Sequence, residues 1–170
     1  MDPNSQTPPK IRVGLFTFSC SEDSTIMFTI LMSKYFFEWK KRIEFVEARV
    51  LKKRKSDGPL DIAIVEGAIT AEEQAERLRK IRARAKKLVA IGSCACTGLP
   101  SAQRNSFDEK TEEEISVILD RFKYAGKVRK LAEVVPIDAS VPGCPMNTDL
   151  FLKALNDLFV AFGHEPVDLT

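Results

Sequence analysis

Short apolar, β-branched runs alternate along this chain with longer stretches of helical period, and that alternation predicts a parallel sheet flanked by helices. Strands are expected at Ile11–Phe16, Ile43–Leu51, Leu60–Val65, Leu88–Ile91 and Val134–Ile137. Helices are expected at Ile26–Trp39, from Thr70 onward, at Glu112–Phe122 and at Thr148–Phe162. The second of these opens on Thr70-x-x-Glu73, the spacing of a capping box, and carries Leu78, Ile81 and Ala85 along one face. The third would turn Ile115, Ile118, Leu119 and Phe122 inward; the last repeats Phe151, Leu155, Leu158 and Phe162 at helical intervals. With 170 residues, one domain with a real core over 11–170 is expected, preceded by a disordered polar tail at 1–10.

Composition narrows the function classes. Twenty-six basic against twenty-four acidic residues leave a net charge of +2, no electrostatic footprint for nucleic acid or an acidic membrane. Residues 1–9 are polar and proline-bearing, without the apolar stretch of a signal peptide, so a cytoplasmic location is expected. The most apolar stretch, Ile26–Met32, is too short for a membrane span, which needs about 20 residues. Four cysteines in a reducing compartment point to metal ligation or redox chemistry before disulfides.

The expected first, fourth and fifth strands are each followed by a loop with a cysteine, Cys20, Cys94 and Cys144. In an open parallel sheet the carboxyl ends of the strands share one edge, so these loops are expected to converge. Gly92-Ser93-Cys94 and Pro142-Gly143-Cys144-Pro145 set glycine beside the thiol, where backbone can approach closely. A 4Fe-4S cluster ordinarily takes four thiolates, and Cys96 is the first candidate for the fourth. Its separation from Cys94 by one residue can direct the two side chains apart, whereas Cys20-Ser21-Glu22-Asp23 has the spacing of a Cys-x-x-Cys pair with Asp23 in second place. A carboxylate is a harder ligand that can hold iron and alter cluster charge and potential.

With these residues laid out, the sequence resembles the small-subunit family shared by [NiFe] hydrogenases and the 20 kDa subunit of respiratory complex I. It looks most like the short δ-type subunits of cytoplasmic, nicotinamide-coupled sulfhydrogenases. The carriers are the Cys20 loop, Asp61–Gly67, Ala90–Gly98, Arg104-Asn105 and Val141–Pro145, in that order. The resemblance implies a flavodoxin-like three-layer α/β domain with one 4Fe-4S cluster at the carboxyl ends of the strands, held by Cys20, Asp23, Cys94 and Cys144. The family's first loop normally reads Cys-x-x-Cys; a carboxylate there is known among the deazaflavin-reducing hydrogenases. A rival alignment puts Thr17 and Cys20 in those two positions, leaving three protein ligands.

Implied partners are a hydrogenase large subunit holding the nickel-iron centre, and iron-sulfur/flavin subunits of diaphorase type that reduce NAD(P). Since longer members carry further clusters in a second domain, the end at Thr170 leaves the expectation of the proximal cluster alone. The chain lacks nickel ligands and would not activate hydrogen by itself.

Blander roles stand beside these. Cys94 and Cys144 could be small buried hydrophobes, Cys96 a structural one, and Asp23 a helix N-cap. Glu66 could sit behind the ligands or be a solvated charge; His164 reads as solvated, and Lys52–Lys55 as a solvated basic turn or a docking site for an electron partner. Arg104 and Asn105 could touch the large subunit or the ligand loop. Met27, Phe28, Leu31 and Phe36 could form the interface or the core. Competing functions are a flavin-binding flavodoxin-like module, a complex I-like oxidoreductase subunit and a structural zinc site. The first would want glycine in the Thr17–Ser21 loop, the second adjacent cysteines in it, and the third would be redox-silent.

Overall fold

The computed structural model describes residues 8–53 and 57–169, so residues 1–7 of the expected tail and residues 54–55 of the basic run lie outside it. The strands are β1 (Ile11–Thr17), β2 (Ile43–Ala48), β3 (Leu60–Glu66), β4 (Ala85–Ile91) and β5 (Ala139–Val141). They pair in parallel in the order β2-β1-β3-β4-β5. This is the flavodoxin-like doubly wound arrangement, whose switch point lies between β1 and β3. The helices are α1 (Asp23–Lys34), α2 (Phe36–Arg42), α3 (Glu72–Arg84), α4 (Ser93–Thr97), α5 (Glu109–Arg121) and α6 (Thr148–Ala161).

Central β3 is apolar almost throughout because both its faces are covered, and Ile62, Ala63 and Val65 are fully buried. On one face Phe28, Trp39, Phe151 and Phe159 from α1, α2 and α6 pack against Val13, Ile62 and Ile64. On the other, Leu78 and Ile81 of α3 meet Phe16, Val65 and Leu88.

Several elements depart from the sequence expectation. The single helix expected over Ile26–Trp39 is two, broken at Tyr35, whose ring stacks on Trp39 at 6.0 Å as both enter the core. β2 stops at Ala48, where Lys53 N–H closes a turn onto the Ala48 carbonyl. β4 starts at Ala85, extended through the charged Lys86 and Lys87 by its pairing with Leu60–Ile62. The fifth strand is Ala139–Val141 instead of Val134–Ile137. Pro136 has no N–H for the ladder, and pairing begins only after Asp138 N–H reaches the Leu88 carbonyl. The Thr70–Glu73 capping box does not form. Ala71 precedes α3 in extended conformation, while Thr70 N–H donates to Gln74 and its hydroxyl lies 2.8 Å from that of Ser19. α5 begins earlier than expected because Asp108 caps it, accepting from Thr111 N–H, and it buries no residue.

Candidate metal centre

Cys20, Asp23, Cys94 and Cys144 gather at the carboxyl edge of the sheet from the ends of β1, β4 and β5. Cys20 packs against the small cluster of Ala68, Cys94 and Val128. Across 121 residues of sequence, the Cys144 thiol donates to Asp23 Oδ2 at 3.0 Å. Among the described residues no three His, Cys, Asp or Glu side chains stand close enough to hold a single ion.

Backbone pairing ties the loops together. Gly92 N–H donates to the Val141 carbonyl and Ser93 N–H to that of Gly143, at 2.9 and 2.7 Å, joining the Cys94 and Cys144 loops. Ser19 and Ala68 exchange two backbone bonds, joining the Cys20 loop to the end of β3. Ser24 Oγ accepts from Met146 N–H at 3.1 Å, fixing the third loop to α1. The glycines beside the thiols are required here. At Gly92 (φ +83°) a Cβ would stand 2.8 Å from Ser24 Oγ, and at Gly143 (φ +123°) 2.5 Å from the Pro145 carbonyl.

Glu66 is 1 % exposed and sits beneath the start of α1. Its carboxylate accepts from Ser24 N–H, Thr25 N–H and the Thr25 hydroxyl at 3.1, 3.0 and 2.6 Å. These groups open α1, so a carboxylate at the end of β3 sets the helix that carries Asp23. The solvated reading of Glu66 is excluded.

Burial pushes the Cys20 thiol up to about 12, opposed by the Glu22 N–H that its sulfur accepts and reinforced by the charge of Glu66. Burial also acts to raise Asp23, but hydrogen bonds from Cys144, Ser24 N–H and Ser21 outweigh it and hold the carboxyl below its usual range. The same Asp23 contact raises the Cys144 thiol. Cys94 is buried with Sγ 3.2 Å from the Ser101 hydroxyl.

Cys96 points away from the other three, its thiol donating to the Ala90 carbonyl at 3.5 Å and packing on the α3-side core. Thr17 pairs with Glu66 inside the sheet. Asp23 is the first residue of α1, and its Oδ1 accepts Ser24 N–H while Oδ2 faces Cys144. Arg104 donates to the Ala125 carbonyl, and Asn105 clamps Val128 through two bonds of 2.7 Å, so this pair holds the loop that presses Val128 onto Cys94. His164 is buried instead of solvated, with Nε2 3.1 Å from the Pro9 carbonyl. Ser101 and Ser24 were not singled out from the sequence; only their place in the fold marks them.

Fold and site together define an α/β domain of flavodoxin-like order whose carboxyl edge brings together thiols and a carboxylate. The chain belongs to the family described as NADH ubiquinone oxidoreductase, 20 Kd subunit, whose pattern matches residues 20–158. It is 31% identical over 127 residues to sulfhydrogenase 2 subunit delta of Pyrococcus furiosus, covering 73% of this chain and 51% of that one. It is also 31% identical over 113 residues to the delta subunit of the NAD-reducing hydrogenase HoxS of Cupriavidus necator, covering 57% and 54% respectively. The chain thus spans about half the length of these curated relatives. A chain in the crystal structure of an NAD+-reducing [NiFe]-hydrogenase in the H2-reduced state superposes with a TM-score of 0.77 at 25% identity, covering 94% of this chain and 96% of that one. No helix among the described residues is long and apolar enough to cross a membrane.

Proposed function

We propose that this chain is the electron-transferring small subunit of a soluble, cytoplasmic [NiFe]-hydrogenase complex. In this reading one 4Fe-4S cluster, held by Cys20, Asp23, Cys94 and Cys144, relays electrons between a large subunit's nickel-iron site and an iron-sulfur/flavin module that reduces NAD(P). The observation that carries it is the 3.0 Å contact of Cys144 with Asp23, beside a Cys20 that packs onto Cys94. The similarity to delta subunits of sulfhydrogenase and NAD-reducing hydrogenase supports the partners named. The donor set fits the group: three soft thiols and one carboxylate, with glycine where a Cβ would close the loops.

Such a cluster supplies one-electron redox chemistry, tuned by ligand charge, hydrogen bonds to sulfur and exclusion of water. The chain's own residues act on all three. Asp23 substitutes a hard oxygen for a thiolate. Glu22 N–H and the Ser101 hydroxyl stand beside the Cys20 and Cys94 sulfurs. Ala68 and Val128 screen Cys94, while the exposed side of Cys144 is left for a partner to cover.

The test is anaerobic purification with co-expressed neighbouring subunits, followed by iron and sulfide analysis and EPR of the wild type, Asp23→Ala and Asp23→Cys. About four irons per chain and a reducible signal that changes in both variants are expected. No iron, or redox-silent zinc, would sink the reading.

A further inference from the structure

The sheet is clad unevenly. A parallel sheet is ordinarily covered by helices on both faces, yet the connection from β2 to β3 has, among its described residues, a 3₁₀ turn at Arg49–Leu51 and no α-helix. On the α3 side a cavity of about 700 Å³ stands open beside β1 and β2. Half-buried Phe18 and exposed Val50 offer apolar surface within it, with Phe16 buried beneath and the Arg77 guanidinium 5.1 Å from the Phe18 ring. Arg77, Lys80 and Arg84 line one wall, at helical spacings of three and four along α3. Arg49, Lys52 and Lys53, from beyond β2, line the other. Arg84 is engaged with Glu47, but Arg49, Lys52, Lys53, Arg77 and Lys80 have no ion pair among the described residues. The acids in the groove, Glu22, Glu47 and Asp57, are fewer than the bases.

We propose that this groove receives an acidic amphipathic helix of a companion subunit, which covers this part of the sheet face. Its apolar side would rest on Phe18 and Val50 and its carboxylates would meet the two basic walls, the helix-in-groove mode of recognition. Opposed basic walls favour an acidic occupant because like charges brought together there would be repelled. The Cys20 loop borders one end of the groove through Thr17 and Phe18, so a helix seated there fixes the companion next to the ligand loops. Only the choice of a companion subunit as partner rests on the hydrogenase reading; the groove lies apart from the ligand side chains.

Purify the chain with its co-expressed neighbours, couple lysines to carboxylates with a zero-length carbodiimide, and map the links by mass spectrometry. In parallel, compare Lys53→Glu/Lys80→Glu with the wild type for association, iron content, EPR and circular dichroism. Links from Lys53 and Lys80 to acidic residues in one helix of a companion are expected. Association should weaken by roughly tenfold or more in the double variant, steeply with salt in the wild type, while iron, EPR signal and fold stay unchanged. A wild-type chain that purifies alone, links only within this chain or to a second copy of it, or undiminished association of the variant would each overturn the proposal. Loss of iron and EPR from the wild type would instead count against the cluster reading.

Discussion

Glu66 is the side chain whose loss should be felt beyond its own position. Glu66→Ala leaves Ser24 N–H, Thr25 N–H and the Thr25 hydroxyl without their buried acceptor, at a cost of about 1–3 kcal/mol for each group left unsatisfied. Thermal unfolding should show a Tm lower by several degrees, at about 2–4 °C per kcal/mol in a chain of this size, and Glu66→Gln should lie between that variant and the wild type. An unchanged Tm in Glu66→Ala would refute its bracing role. Cys20 makes a second prediction, for the metal-free chain. Its thiol sits at about 12 in the fold against 9.0 ordinarily, so the folded state keeps a proton that the unfolded state loses. The stability this contributes is complete below pH 9 and disappears as the pH climbs toward 12. Iodoacetamide at pH 9 should therefore modify Cys20 much more slowly in the folded chain than in denaturant; equal rates would contradict the burial argument. Cys20, Cys94 and Cys144 were legible in the sequence because strand ends and glycine neighbours mark them, and Asp23 through its spacing. Ser24 was not, since a serine becomes a brace only once Met146 N–H is brought to it.

At the scale of the element, the two helices α3 and α5 look alike in sequence and behave differently. Leu78 of α3 is fully buried, and Leu78→Ala should cost about 2–5 kcal/mol in a denaturant melt. Val117, Ile118 and Phe122 at α5 are 72%, 55% and 61% exposed. Ile118→Lys, on the stripe itself, should stay within about 0.5 kcal/mol of the wild type, and a large loss there would mean that α5 packs as its periodicity suggests. The apolar stripe was readable, but periodicity records which face is greasy and not whether anything covers it. The first helix has the same character: Phe28 and Leu31 entered the core, while Ile26, Ile30, Phe36 and Phe37 remain exposed. The misplaced fifth strand has another origin, for Val134 and Val135 are apolar because they touch the α3-side core, while the ladder proper waits until Pro136 is past.

For the molecule as a whole, the Cys20, Cys94 and Cys144 loops lie far apart in sequence and are tied by backbone bonds, by side-chain contacts such as Cys144–Asp23 and Ser24–Met146, and by whatever they jointly hold. A bound group that engages the folded chain alone stabilises it by mass action. Stripping iron anaerobically with a chelator should lower the calorimetric Tm, and Asp23→Ala should narrow the gap between loaded and stripped protein. Identical melts for loaded and stripped wild type would show that the loops are not held jointly.

Strand-helix alternation was enough by itself to determine a parallel α/β sheet, and the strand-end positions of Cys20, Cys94 and Cys144 were enough to set them at its carboxyl edge. Both are local signals: hydrophobic period follows from which face a residue buries, and a glycine beside a thiol from backbone that must pass close. What only the tertiary structure decided is which groups meet. The Asp23–Cys144 contact, the seat of Glu66 under α1 and the basic groove beside β1 and β2 all depend on the order in which the strands pair. Strand order is a property of long-range packing, and no local run of sequence carries it.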